Sequence, residues 1–147
     1  MRAPGWTITL AACILAASGR EAAAQGATSQ GRSALAGVYT ADQASRGRTV
    51  YAGMCQSCHT PASHTGPTFK NSWVGHPLSD LFDFVVERMP KNDPGSLSME
   101  DYADVVAYLL KMNQMPAGKV ELPTDTLALK RIRIDTPPAQ PAGAPDR

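Results

Sequence analysis

Cys55, Cys58 and His59 stand together as Cys55-Gln56-Ser57-Cys58-His59. Two thiols and an imidazole at this spacing are the residues that attach c-type haem. Each thiol adds across one haem vinyl group to give a thioether. The two-residue gap sets both sulfurs along one edge of the porphyrin when the segment is helical. The imidazole that follows then lies under the ring, where a ring nitrogen can bind iron. No internal repeat is visible, so the spacing predicts one covalently held haem c per chain. Two other chemistries use Cys-x-x-Cys. A thiol–disulfide pair expects a βαβ context, for which the sequence has no pattern. A zinc site expects a second cysteine pair or regularly spaced histidines, and neither is present.

An iron bound by His59 has a second axial position. Its candidates are Met54, Met89, Met99, Met112, Met115, His64 and His76. Met54 is too near the attachment site to reach the opposite face. Met99 falls in the first turn of a predicted helix and Met112 near its end. Met89 follows a different helix and enters a proline-rich loop, thirty residues after His59. That length is enough to cross to the far side, and the prolines would hold the thioether in place. Met89 is therefore favoured, since Met/His pairs ligate the iron of cytochromes c. Two alternatives stay open: Met89 as the last core residue of its helix, and a bis-histidine site through His64 or His76. Both histidines also read as ordinary loop residues.

Three helices must position these groups. Thr40 with Gln43 fits a capping box and opens the first, which runs through Ala44, Gly47, Val50 and Tyr51 to the cysteines. Gly47 is a poor helix former, so a close crossing by another helix is the natural reason for it. Leu78 to Arg88 is the second helix. Its apolar stripe is Leu78, Leu81, Phe82, Val85, Val86 and Met89, and Pro90 stops it. Ser98 with Asp101 caps the third, whose apolar face is Tyr102, Val105, Val106, Leu109 and Leu110. Thr60 to Trp73 and Pro90 to Ser96 show no helical period and read as long loops. Long loops in a small domain need a functional reason, and wrapping a flat cofactor is one. No convincing strand pattern appears, so the fold class is all-α.

The ends of the chain suggest export. Residues 1–24 read as a signal peptide: Arg2 is the positive charge, Trp6 to Ala17 the apolar segment, Ala22-Ala23-Ala24 the cleavage site. Leu10-Ala11-Ala12-Cys13 offers a competing lipoprotein site, with Cys13 as the anchor. Residues 25–37 read as a flexible linker rich in small and polar residues. The main domain is expected over 38–117, an extension over 118–135 and a disordered proline-rich tail over 136–147. In the extension, Leu122, Leu127, Leu129, Ile132 and Ile134 must pack on the domain itself or on a partner. No later segment approaches the length of a transmembrane helix. The net charge of +1 gives no reason to expect nucleic acid or an electrostatically held membrane. Acidic residues crowd Ser79 to Asp104 and basic ones Lys111 to Arg133. These are solvated helix faces, or else a dipolar surface that orients a redox partner.

Tyr39 to Ala117 resembles a class I c-type cytochrome, and within that class the small bacterial monohaem proteins that accompany periplasmic dehydrogenases. The likeness rests on Gly47, Tyr51, Cys55, Cys58 and His59, then Gly66-Pro67, Trp73, Met89-Pro90, Pro94-Gly95-Ser96-Leu97-Ser98 and Tyr102 to Leu110. It implies the cytochrome c fold, with the first and last helices crossing near Gly47, Tyr51 and Tyr108. It implies that the Pro67 carbonyl accepts a hydrogen bond from the second ring nitrogen of His59, which would fix the imidazole. It implies that Trp73 reaches a haem propionate through its indole N–H, with burial as plain core the alternative. The lysine-rich front of mitochondrial cytochromes c is missing, so their docking mode is not implied.

A six-coordinate His59/Met89 iron has no open position for substrate. The expected function is therefore not catalysis but one-electron transfer in the periplasm, from a donor dehydrogenase to a downstream cytochrome or oxidase. Two alternatives remain. One is a tightly bound cytochrome subunit of a dehydrogenase complex, which the apolar extension raises. The other is a haem enzyme or gas sensor with a labile distal ligand.

Overall fold

The computed structural model describes residues 31–138. The predicted signal peptide, Cys13, residues 25–30 of the linker and residues 139–147 of the tail lie outside them. In chain order the elements are β1 (Arg32–Ser33), a 3₁₀ turn (Ala34–Ala36), α1 (Ala41–Met54), a second 3₁₀ turn (Pro61–His64), α2 (Gly66–Trp73), α3 (Leu78–Arg88), α4 (Met99–Met112), α5 (Thr126–Leu129) and β2 (Ile132–Arg133). The fold is all-α as expected, with one two-residue parallel strand pair added.

The crossing of α1 and α4 organises the rest. A Cβ on Gly47 would collide with the Asp104 carbonyl, so only glycine lets the two backbones meet here. One turn further along α1, Tyr51 packs against Tyr108 of α4 with ring centroids 5.4 Å apart. Both contacts match the crossing that the resemblance implies. The predicted stripes of α3 and α4 also face inward: Leu78, Leu81, Phe82, Tyr102, Val105, Val106, Leu109 and Leu110 are all buried. Ser98 caps α4 by accepting from the Asp101 amide at 3.0 Å.

Four expectations need correction. The capping box at α1 is only half made. Thr40 accepts from the Gln43 amide at 3.0 Å, but the Gln43 side chain turns inward. Its amide group donates to the Leu122 carbonyl at 3.1 Å and accepts from the Leu122 N–H at 2.7 Å. Pairing both backbone groups of one residue outcompetes a solvent-exposed cap bond. Next, Thr60 to Trp73 is not a structureless loop. Gly66 takes φ +61° and Pro67 sits in the first turn, where its missing N–H is no loss, so α2 starts there. Phe69 is its buried residue. Residues 32–37 are not a flexible linker: Arg32–Ser33 pairs with Ile132–Arg133, and Ala34 is fully buried. Lastly, Asp104 is no solvated acid. It is buried against α1 and bonded twice to the Arg46 guanidinium, at 2.8 and 3.0 Å.

The extension packs on its own domain. Leu122, Leu129, Ile132 and Ile134 are buried, and Leu127 alone of the five predicted packing residues points outward. Ile134 donates to the His76 carbonyl at 2.9 Å and accepts from Gly75 at 2.8 Å, which ties it to the α2–α3 turn. Arg46 reaches Glu121 at 2.8 Å. The Tyr39 hydroxyl donates to the Met115 carbonyl at 2.6 Å, and burial pushes its pKa up to about 12. Gln43→Ala should strip Leu122 of both partners in a dry place. Denaturant unfolding should show a loss of about 1–3 kcal/mol; an unchanged midpoint would mean that Gln43 does not hold the extension.

Candidate functional site

The end of α1 delivers the attachment residues. Its last turn closes with the Cys55 amide on the Tyr51 carbonyl at 2.9 Å. One further turn follows, in which Cys58 and His59 donate to the Cys55 carbonyl at 3.1 and 3.0 Å. Cys55, Cys58 and His59 therefore stand on a single compact turn. The Tyr51 hydroxyl donates to the His59 carbonyl at 3.3 Å, tying that turn back to α1. Both cysteines are free thiols; Cys58 is exposed and Cys55 half-buried. Burial pushes the Cys55 thiol above its usual range.

This turn opens onto a cavity of about 410 Å³, within the range of roughly 300–1,000 Å³ common for cofactor sites. Leu81 and Val85 of α3, Val105 and Leu109 of α4, and Trp73 of α2 supply apolar walls. Met89 lines it from the end of α3. The Tyr102 hydroxyl, reaching over from α4, donates to the Met89 carbonyl at 2.7 Å and holds the chain where it leaves the helix. Tyr51, Ser57, Lys91 and Asn92 add polar groups to its wall beside the cysteines and histidines. Two free thiols, an imidazole and a thioether around apolar walls fit a flat macrocycle with apolar faces. They do not fit a bare metal ion: among the described residues no group of three or more His, Cys, Asp or Glu is placed to bind one.

The other candidates separate clearly. Met54 lines the cavity from beside Cys55, whereas Met99, Met112 and Met115 do not line it. His76 lies away from it, exposed and 3.3 Å from Asp80 on α3. Trp73 lines the cavity and packs edge-on against Phe84 at 5.3 Å. It is half-buried against the core, and its indole N–H has no acceptor among the described residues. Pro67 is not brought in. It is exposed in the first turn of α2 and makes no hydrogen bond to His59. A carbonyl in a helix points along the axis toward its own i+4 amide, not sideways to a neighbouring ring.

Three residues take roles at the site that the sequence does not assign them. His64 stands beside His59 with ring centroids 4.7 Å apart. Burial and the nearness of His59 both lower its pKa. Phe84 lies off the α3 stripe, with Asp80 and Glu87 one turn to either side, and an aromatic on a polar face was the available signal. Tyr102 reads as core, and nothing in its spacing reveals the Met89 contact.

Residues 42–109 match the family model described as cytochrome c oxidase, cbb3-type, subunit III. The match supports a c-type cytochrome. It spans α1, the attachment turn, Met89 and most of α4, and the domain it describes carries covalently attached haem c. Neither a curated protein nor a solved structure matches the chain. The cytochrome domain's chemistry is electron transfer: bound haem c supplies a one-electron ferric–ferrous couple. Among the described residues no helix is long and apolar enough to cross a membrane.

Tyr102→Phe should leave the Met89 carbonyl without its donor. The expected loss is about 1 kcal/mol of stability, with faster amide hydrogen exchange across residues 90–96. Exchange rates equal to wild type would show that this hydroxyl does not hold the segment.

Proposed function

We propose that this protein is an exported one-electron carrier of the periplasm. Cys55 and Cys58 bond the haem through thioethers, and His59 and Met89 supply the two axial ligands. Trp73 donates its free indole N–H to a propionate. Pro67 is left out of the set, since it is exposed and makes no hydrogen bond to His59. The observation that carries this reading is that Met89 lines the same apolar cavity as the Cys55–His59 turn, thirty residues away in the chain. Met54 shares the cavity, but it adjoins Cys55 and is tied to the attachment side.

Two protein ligands leave the iron no open position, which favours carrying electrons over binding a substrate. Methionine sulfur favours ferrous iron and so raises the potential. The apolar walls act in the same direction, because a dry site disfavours the more highly charged ferric state. Cys58 is exposed beside Met54 and Ser57, so this side of the cavity reaches the surface. An electron can pass there to a docked partner without atoms moving. The donor is a dehydrogenase and the acceptor a downstream cytochrome or oxidase, each meeting the carrier in a small, short-lived contact. The leader predicted over residues 1–24 supports the compartment.

A second reading, a tightly held subunit of a larger redox complex, draws on the oxidase subunit named in the matching family model. The apolar extension no longer supports it, since its buried residues face their own domain. Size-exclusion of the natively purified protein separates the two. The carrier elutes near its own mass of 15.6 kDa or slightly below; co-elution with a large partner would sink the free-carrier reading.

Met89→Ala should abolish the weak sulfur-to-iron charge-transfer band of the oxidised protein. It should also let the reduced protein bind carbon monoxide, which wild type should not. Survival of that band would rule Met89 out as the ligand.

A further inference from the structure

The sequence offers two roles for His64, distal ligand or ordinary loop residue, and the structure supports neither. Its ring lines the cavity and stands 4.7 Å from the His59 ring, centroid to centroid, tilted by 51°. Imidazoles on opposite faces of an iron porphyrin need about 6 Å between centroids, two metal–nitrogen bonds of roughly 2 Å plus half a ring on each side. No porphyrin passes between His59 and His64, so the two lie on the same side of the site. A loop histidine would point to water. His64 is half-buried instead, and its ring meets Tyr51 edge-on at 5.9 Å.

The backbone holds it there. Asn113, the residue that ends α4, donates its side-chain amide to the His64 carbonyl at 2.8 Å and to the Leu109 carbonyl at 2.9 Å. Tyr51, in turn, holds the His59 carbonyl and packs on Tyr108. His64 is thus pinned from α4 through its main chain and from α1 through its ring. No hydrogen bond joins the two imidazoles among the described residues, so they meet by packing. Pro67, whose carbonyl the resemblance assigned to orient His59, makes no hydrogen bond to it and lies exposed in the first turn of α2.

We propose that His64 is a positioning residue for the His59 imidazole. Its ring is a wall that fixes the rotation of His59 about its Cβ–Cγ bond and keeps water from that side of the site. The proposal rests on His59 as an axial ligand. A ligand ring held at one angle gives the iron one electronic environment, and a ring free to turn gives several. Partners that fix a metal-bound histidine also tune the metal. Exclusion of water raises the potential by disfavouring the ferric state.

The test uses holoprotein of wild type, His64→Ala and His64→Phe. Proton NMR of oxidised wild type should show hyperfine-shifted ring protons of an imidazole ligand; their absence would sink both the ligand assignment and this proposal. Where they are present, His64→Ala should shift the low-spin g-values, spread the ring-proton signals and lower the midpoint potential. His64→Phe restores a flat packing surface and should return all three toward wild type. Values in His64→Ala that match wild type would overturn the proposal and leave His59 as ligand. A shift that His64→Phe does not reverse would overturn it too, since ring packing would not be the cause. If His64→Ala does not accumulate with haem, His64→Leu, which keeps bulk without a flat ring, is read in the same way.

Discussion

The contact between Gly47 and the Asp104 carbonyl is the constraint on which the molecule depends. It brings α1 and α4 to backbone distance, which no residue with a Cβ allows. Every group at the site is then referred to that crossing. α1 ends in the Cys55–His59 turn. α4 reaches the Met89 side through the Tyr102 hydroxyl and the His64 side through Asn113, four helical turns' worth of sequence apart at most. One helix therefore holds both the segment that carries the thioether and the segment that backs the imidazole. At the same crossing the exposed Arg46 guanidinium pairs with the buried Asp104 carboxylate. Asp104 is desolvated there, and breaking such a pair from one side strands a buried charge.

The chain ends reinforce this frame and do not extend from it. Gln43, on the inner face of α1, holds Leu122 by both backbone groups. Arg32–Ser33 and Ile132–Arg133 form a short parallel pair, and Ile134 closes onto the α2–α3 turn. A small domain has little surface to bury, so apolar segments outside its core fold add to stability when they pack on it. The extension contributes four buried side chains in this way. Its role is cohesion, and the partner-facing surface is to be sought at the open side of the cavity instead.

That cavity has the balance that electron transfer needs. Its inner walls are aliphatic and aromatic, an arrangement that keeps water from a bound cofactor. Its outer side carries an exposed cysteine and methionine next to the reactive turn. Apolar walls and an accessible edge suit a couple that changes charge and little else.

The sequence by itself determined the covalent chemistry and the helices that carry it. Cys55, Cys58 and His59 lie within five residues, so their relative placement is a matter of one turn. The bounds of α3, the Ser98 cap and the buried stripes of α3 and α4 follow from local periodicity. Gly47 told of a close crossing because its only merit in a helix is a missing side chain. Tertiary structure decided what depends on partners distant in the chain. Gln43 offers the pattern of a cap, yet a buried backbone segment from residue 122 outcompetes the local bond. Asp104 reads as solvent-facing until α1 is laid against it. α2 is short and begins at Gly66-Pro67, so too few apolar positions repeat to reveal it. His64 reads locally as a candidate ligand or a loop histidine, and nothing in its spacing decides between them. Whether an imidazole five residues past His59 faces water, the cavity or its neighbour is settled by what holds its backbone, and that residue, Asn113, comes forty-nine positions later.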